Sequence, residues 1–552
     1  MLRGHIKRGF LALFIVVGMP LLILFVYLKI VTSITEPTPT DLLAPELHNA
    51  GHSDSFRTMG NNWLRKSESG LYEMYVEGPP FERGVVLGRL AKDLVQYQEI
   101  VFNDQIEQLV PSPLYRNLLK YFVGWFNRNL NSHIQDEYRL EIFGVSKSFS
   151  DDYNSIAPPY QRAINYHAAH DIGHALQNMS LVGCTSFATW DDRSEDKSLI
   201  VGRNFDFFAG DDFAKNKLVL FMKPKDGHQF VSITWAGMMG VLSGMNDQGL
   251  TVTINAAKSD IPSEAFTPVS LVAREILQYA SNIDEAYAIA AKRKMFVSES
   301  FLIGSYKDDK AVIIEKTEND IELFDSRTSE IICTNHFQSD GIGSNPLNVQ
   351  HIKESASVPR FDRVKELLTR NQSNSISNTA SILRDRNGLG DRSIGLGNER
   401  AINQLIAHHS VIFQPGTLRV WVSTRPWQLG KYVCYDLNDV FGSRLKYDQE
   451  IHQSILTIPE DQSIDKVTLD RFKKFSNYRF PFQSKEQIQP DSLLKWNPNL
   501  YLSYLLVGDY YFDRGEYKTA KLNYEKGLAL VVATEQERKY MADRIQKCNE
   551  EL

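Results

Sequence analysis

Between Leu199 and Val433 the chain breaks into short β-rich runs, and this texture constrains the fold more than any other feature. The runs are Leu199–Gly202, Leu218–Met222, Phe230–Thr234, Leu250–Ile254, Ala311–Glu315, Ile321–Phe324, Ile331–Cys333, Leu418–Val422 and Tyr432–Tyr435. A single long amphipathic stretch, Pro268–Lys292, interrupts them and predicts a helix. Many strands with a few helices in segregated blocks indicate an α+β layered domain rather than a wheel of βαβ units.

The flanks differ in character. After Gly78-Pro79-Pro80, the residues Val85, Leu87, Leu90, Leu94 and Tyr97 recur at helical spacing. Residues 371–397 are rich in Ser, Asn, Asp and Gly and read as loop around one short helix. In the last sixty residues Tyr504, Val507, Gly508, Tyr511, Ala520 and Tyr524 match the relative spacings of a 34-residue tetratricopeptide repeat, with Gly515 in the turn. One repeat cannot bury its own face, so it must pack on the main domain or on a partner protein. The expected division is 1–31 cytoplasmic stub and transmembrane anchor, 32–69 polar linker, 70–445 catalytic-type domain, 446–494 linker, and 495–552 helical appendage.

The anchor is expected because Phe10 to Leu28 contains no charge, a run long enough to cross a bilayer as a helix. Arg3, Lys7 and Arg8 precede it and would stay in the cytoplasm, leaving everything after Lys29 extracytoplasmic (periplasmic or in the cell envelope if bacterial). A cleaved signal peptide is the alternative, but no good Ala-x-Ala site closes the run. The net charge of −6 argues against a nucleic-acid partner, because no basic excess exists to neutralise phosphates. Four scattered cysteines, Cys184, Cys333, Cys434 and Cys548, have neither zinc spacing nor the density of a disulfide scaffold.

The chemistry centres on Gly183-Cys184-Thr185-Ser186 followed by Gly202-Arg203-Asn204-Phe205-Asp206. The spacing suits a hairpin in which a first strand, led by Cys184, pairs with a second ending near Arg203. A cysteine made N-terminal by self-cleavage carries its own base, an α-amine with a pKa of about 8. That amine can take the thiol proton and later hand it to a leaving amine. Asp206 can hold the ammonium, and Arg203 can favour the thiolate. Gly183 tolerates the contorted backbone that attack on its own carbonyl requires. An acyl-transfer centre also needs donors for a tetrahedral oxyanion; Asn255 and Asn335, each at a strand end, are candidates.

With these motifs in this order, and with Gly244-Met245-Asn246 to Gly249-Leu250, Thr334-Asn335-His336 and Ser357-Val358-Pro359-Arg360-Phe361, residues 70–440 resemble the autoproteolytic acyl-coenzyme A:6-aminopenicillanic acid acyltransferase family of N-terminal-nucleophile hydrolases, relatives of choloylglycine hydrolases and acid ceramidase. The resemblance implies an αββα sandwich, cleavage between Gly183 and Cys184, and two fragments that stay associated. It makes Cys184 the nucleophile with Arg203 and Asp206 around it, Asn255 and Asn335 the oxyanion and amine-orienting asparagines, and Arg360 a later active-site arginine. Asn246 is an alternative to Asn255, and Arg363 to Arg360. No cofactor or metal is expected.

Other signals rank lower. His167, His170 and His174 share a helical face, but the HExxH glutamate is missing. His408-His409 could enter a cysteine–histidine dyad, yet the N-terminal amine already supplies a base. The expected function is hydrolysis of a C–N amide bond in a small N-acylated substrate through a Cys184 thioester. The alternatives are transfer of the acyl group to an amine acceptor, and an anchored scaffold whose hydrolase domain is inactive.

Overall fold

The computed structural model describes residues 14–39, 51–52, 56–176, 183–258, 260, 262, 264–442, 449–479 and 489–552. Strands are numbered in chain order. One sheet has eleven strands: β1 (Gly51–His52), β2 (Phe56–Met59), β3 (Asn62–Lys66), β4 (Tyr72–Gly78), β7 (Leu218–Pro224), β8 (Phe230–Thr234), β9 (Ser243–Asn246), β10 (Leu250–Ala256), β11 (Glu299–Ser305), β12 (Lys310–Lys316) and β13 (Ile321–Phe324). The second has six: β14 (Glu330–Cys333), β5 (Thr185–Thr189), β6 (Ile200–Phe205), β15 (His409–Gln414), β16 (Arg419–Ser423) and β17 (Tyr432–Asp436). Among the described residues every ladder is antiparallel except β4 with β7.

The period of two along each strand sorts side chains into layers. In β7, Val219 and Phe221 join Val231, Ile233, Leu302 and Ile313 in a core shared with Val201, Val411, Phe413, Val420 and Val422 of the other sheet. The alternate residues Leu218, Leu220 and Met222 face outward into a core with the helices Pro80–Leu90, Lys92–Leu109, Asp136–Ser146 and Val269–Tyr279. The outer face of the six-stranded sheet, through Phe187, Ile200, Ile332, Ile412 and Trp421, is covered by Val364, Leu368, Ala380 and Leu383 of the helices Ser357–Arg370 and Ile376–Leu383. Helix, sheet, sheet, helix is the expected layer order. Because β7 is buried on both faces, it reads as a continuous apolar run rather than an alternating one.

Several expectations need correction. Pro268–Lys292 is two helices, Val269–Tyr279 and Ile283–Lys292. The chain breaks between them because the Asn282 side chain caps the second, accepting from the Glu285 amide at 2.9 Å. The linker at 32–69 contains β1, β2 and β3, which extend the large sheet through β4. The linker at 446–494 contains the helix Lys466–Ser476, whose Phe472 and Phe475 are fully buried. At the N-terminus a helix spans Met19–Val31 after a turn of π-helix at Phe14–Gly18, while residues 1–13 lie outside the described residues. No helix among the described residues is long and apolar enough to cross a membrane.

The C-terminal helices Tyr501–Phe512, Tyr517–Ala529 and Glu535–Glu551 share one apolar core. Gly508 lets the first two approach, since a Cβ there would lie 2.5 Å from the Tyr524 ring. That core also takes in Leu405, Trp427 and Leu429 of the main domain, so the appendage is docked on the sandwich.

Candidate active site

The site lies at one end of the seam between the sheets. In the β5–β6 hairpin Thr185 pairs with Asn204 and Ser186 with Arg203, and Cys184 sits one residue before β5. This is the hairpin expected from the spacing of the two motifs. Strand alternation turns Cys184, Ser186 and Arg203 toward the opposite sheet, where Asn255 of β10 meets them: Ser186 Oγ donates to Asn255 Oδ1 at 2.9 Å.

Arg203 is fully buried and bridges the two sheets. One terminal nitrogen donates to the Leu242 carbonyl at 2.6 Å and to Ser243 Oγ; the other donates to the Ile254 carbonyl and reaches Cys184 Sγ at 3.4 Å. In the continuous chain this does not make the thiol acidic. Burial pushes the Cys184 thiol above its ordinary value, Asp206 adds to that, and Arg203 only opposes it. In the continuous chain desolvation thus outweighs the attraction of Arg203.

Asp206 is buried, and among the described residues neither of its carboxylate oxygens has a hydrogen-bond partner. Burial raises its pKa to about 7, against the pull of Arg360, Arg203 and Arg479. Its backbone carbonyl accepts from the Gly183 amide at 3.0 Å, which holds the segment before Cys184 beside it. A buried carboxylate without donors costs free energy unless a cation completes it.

Arg360, on the helix Ser357–Arg370, reaches the peptide ahead of Cys184. One nitrogen donates to the Gly183 carbonyl at 2.9 Å, to Thr185 Oγ1 at 2.9 Å and to the Cys184 carbonyl. The other donates to Asn335 Oδ1 at 2.8 Å. Asn335 Nδ2 donates to the Ala256 carbonyl at 2.8 Å, and Asn255 Nδ2 to the Cys333 carbonyl at 3.1 Å. Each amide nitrogen thus keeps one further hydrogen for a ligand. Ser357 Oγ accepts from the Asn335 backbone amide at 2.8 Å and fixes that loop.

The alternatives separate cleanly. Asn246 is consumed by a turn, donating to the Leu277 and Ala280 carbonyls and accepting from the Gln248 and Leu250 amides. Arg363 faces away, paired with Asp385, Glu366 and Asp391. His167 accepts from the Met239 amide at 2.9 Å, and its other nitrogen lies 2.7 Å from the Ala163 carbonyl, so it is structural. The side chains of His170 and His174 lie outside the described residues. His409 contacts Ser243 Oγ at 2.8 Å and His408 at 2.9 Å, which places the histidine pair behind Arg203 rather than on the sulfur. Glu73, Glu450 and His452 also cluster, but Arg65 binds Glu73 at 2.6 Å and Glu450 at 3.2 Å, making this an ion-pair network.

Sequence reasoning missed Gln404, whose Nε2 donates to the Gly183 carbonyl at 2.8 Å. It lies in a loop with no motif spacing, so no sequence signal pointed to it. Gly183 itself does not occupy the left-handed region. A Cβ there would lie 2.4 Å from Gln404 Nε2, so in the continuous chain glycine leaves room for the Gln404 amide.

A small apolar cavity lies beyond Phe205, on the far side of that ring's neighbour Phe207. Arg203 stacks 4.5 Å from the Phe205 ring centroid, Phe205 on Phe207 at 5.8 Å, and Phe207 on Trp235 at 6.4 Å. Phe207 and Trp235 line a cavity of about 50 Å³ with Phe102, Phe149, Phe213 and Met238.

Comparison with known proteins agrees with the motif set. Residues 193–422 match the family model described as acyl-coenzyme A:6-aminopenicillanic acid acyl-transferase. The matched stretch holds Arg203, Asp206, Asn255, Asn335, Arg360 and Gln404; Gly183 and Cys184 precede it. The chain is 27% identical over 253 residues to an uncharacterized protein of Archaeoglobus fulgidus, covering 43% of this chain and 42% of that one. It is 22% identical over 279 residues to protein dcd1A of Dictyostelium discoideum, covering 47% and 60%. It therefore spans less than two thirds of either relative. Among solved structures it is similar to the Caenorhabditis elegans N-acylethanolamine-hydrolyzing acid amidase ortholog (17% identity, TM-score 0.30, 42% of this chain and 93% of that one). It is also similar to a mutant of the conjugated bile acid hydrolase from Clostridium perfringens (14% identity, TM-score 0.32, 51% and 99%). Over residues 193–422, then, the chain is similar to the acyl-coenzyme A:6-aminopenicillanic acid acyl-transferase family.

Proposed function

We propose that this protein is an amidohydrolase that frees its own catalytic group by cutting the peptide bond between Gly183 and Cys184. One observation carries the reading: a thiol within reach of Arg203 directly follows a carbonyl already held by two donors, beside a buried carboxylate that has none among the described residues. In self-cleavage the Cys184 sulfur attacks the Gly183 carbonyl carbon, and the oxyanion forms at the oxygen held by Arg360 and Gln404. The C–N bond breaks, the thiol proton passes to the departing nitrogen, and Gly183 becomes a thioester on Cys184. Water then releases a Gly183 carboxylate and returns the thiol. The new ammonium supplies a hydrogen-bond donor to the Asp206 carboxylate, which accepts from none among the described residues.

In turnover the same sulfur attacks a substrate amide, the α-amine of Cys184 carries the thiol proton to the leaving amine, and water then cleaves the resulting thioester to release the acid and restore the thiol. Asn255 and Asn335 offer their remaining amide hydrogens to the oxyanion. The aromatic cleft beyond Phe205 favours a substrate with an apolar group beside the amide. The family's description supports acyl transfer to an amine as the second reading; assaying products with and without added amine separates the two. The test of the first reading is intact mass of the purified protein. It predicts fragments ending at Gly183 and beginning at Cys184, and Cys184→Ala must abolish both fragments and turnover. A wild-type chain that stays whole while hydrolysing amides would overturn it.

We propose separately that residues 1–31 tether the protein to a bilayer. Residues 10–28 are uncharged, and Leu21, Ile23 and Phe25 of the helix Met19–Val31 are exposed. Phe25 packs on Tyr121 of the helix Pro113–Phe126, where Leu114, Leu118 and Phe122 are exposed as well. Removal of residues 1–31 is expected to shift the protein from the membrane to the soluble fraction; an unchanged distribution refutes the anchor.

A further inference from the structure

We propose that Gln404 is a catalytic residue of the self-cleavage step and that the C-terminal helical unit holds it in place through Arg479. The inference rests on the self-cleavage reading above and extends it to a part of the chain outside the family match.

Gln404 Nε2 and Arg360 Nη1 donate to the same oxygen, the Gly183 carbonyl, at 2.8 and 2.9 Å. That oxygen takes the negative charge when the Cys184 sulfur adds to its carbon, so both donors strengthen as the tetrahedral state forms. Arg360 brings charge. Gln404 brings a neutral amide whose donor survives at any pH. The missing Cβ of Gly183 is what lets the Gln404 amide come this close.

The loop bearing Gln404 is tied to the C-terminal unit along its length. Asn497 Nδ2 donates to the Leu396 carbonyl at 2.8 Å, Asn398 Nδ2 to the Val531 carbonyl at 2.9 Å, and Arg400 Nε to the Ala533 carbonyl at 2.9 Å. Gly395, with φ at +83°, lies against the Leu500 backbone, where a Cβ would come within 2.6 Å. At the end of the loop Arg479 Nη1 donates to the Gln404 carbonyl at 2.8 Å. Arg479 follows the helix Lys466–Ser476, whose Phe472 and Phe475 belong to the appendage core. The unit that resembles a repeat is therefore a brace on the loop that polarises the scissile carbonyl, and self-cleavage is coupled to its docking. Arg479 acts through Gln404 and is a positioning residue.

The test follows precursor conversion on denaturing gels and by intact mass, in the full-length protein, across pH. Gln404→Ala is expected to slow cleavage by about 10²-fold or more, the loss typical of one oxyanion donor. Gln404→Glu places a carboxylate against the oxygen at neutral pH and must be slow there. As pH falls and the acid is protonated, its donor returns, so its rate relative to wild type must rise. A variant that had merely misfolded would not recover in acid. Arg479→Ala is expected to slow cleavage, with Arg479→Lys restoring part of the rate. If wild type cuts and Cys184→Ala does not, yet Gln404→Ala and Arg479→Ala convert at the wild-type rate, the role of Gln404 is overturned and the self-cleavage reading stands. If wild type never cuts, both fall.

Discussion

Arg360 donates from one guanidinium nitrogen to the Gly183 carbonyl oxygen at 2.9 Å and from the other to Asn335 Oδ1 at 2.8 Å. A single side chain thus links the peptide proposed to be cut with the asparagine proposed to serve the later reaction. This joint role gives Arg360→Lys a specific signature. Lysine keeps a charge but lacks the planar fork needed to serve both acceptors. We expect self-cleavage and turnover to drop together, by roughly 10- to 1000-fold, with thermal stability close to wild type. The time course of fragment appearance and a steady-state amide assay measure the two. Loss of turnover alone would remove Arg360 from the cleavage step.

Arg203 stands differently, because its partners in β9 and β10 are part of the fold. Replacing it by Met leaves the Leu242 and Ile254 carbonyls in the inter-sheet seam without this donor. The expected loss is about 3 kcal/mol or more of stability, the scale seen when one partner of a buried charged contact is removed. It is accompanied by abolished cleavage, since the thiol loses the cation that reaches its sulfur. Denaturant unfolding of Arg203→Met against wild type checks the first, and intact mass the second. Normal stability would mean that the bridge across the seam is not structural.

Asp206 makes stability depend on pH in a direction opposite to most carboxylates. Burial raises its pKa from an ordinary value near 3.8 to about 7. The folded chain therefore binds a proton more tightly than the unfolded chain does. Its contribution is fully present below about pH 4 and is lost as pH rises through about 7. Cys184→Ala, which cannot cut itself, isolates this effect in the continuous chain. We expect its melting temperature to fall between about pH 4 and 7, and Asp206→Asn in that background to flatten the fall. Equal slopes in the two chains would show that Asp206 is not the group responsible.

Much of the site was readable from sequence because the residues that carry it follow strand geometry. The fixed register of β5 and β6 sets Ser186 opposite Arg203 and brings Asp206 back beside Gly183. The order of β-rich runs likewise specified a layered fold, since period-two burial leaves its mark on each strand. Strands β9, β11 and β15 escaped because Gly, Ser and buried polar residues such as Asn246, Glu299 and His409 interrupt their apolar character. Gln404 escaped for another reason. Its place is set by tertiary contacts with residues 479 to 533, far away in sequence, and no local pattern encodes such a contact. The raised thiol pKa was also illegible, because the strength of desolvation depends on packing depth.

Gly183 offers the sharpest separation between backbone freedom and space. If glycine were needed for its conformational range, Gly183→Ala and Gln404→Ala would impair cleavage by independent routes, and their effects would multiply. The structure gives Gly183 an ordinary φ and sets the Gln404 amide where a methyl group would go, 2.4 Å from the Cβ position. Adding that methyl must therefore push the amide off the carbonyl. We expect Gly183→Ala to slow cleavage by about as much as Gln404→Ala, on the order of 10²-fold. The double variant should be no slower than either single one, because the same donor is lost in all three. A coupling energy from the four conversion rates reads this directly. Strict additivity would mean that the methyl acts on the backbone, and glycine at this position would then report the geometry of attack instead of the reach of Gln404.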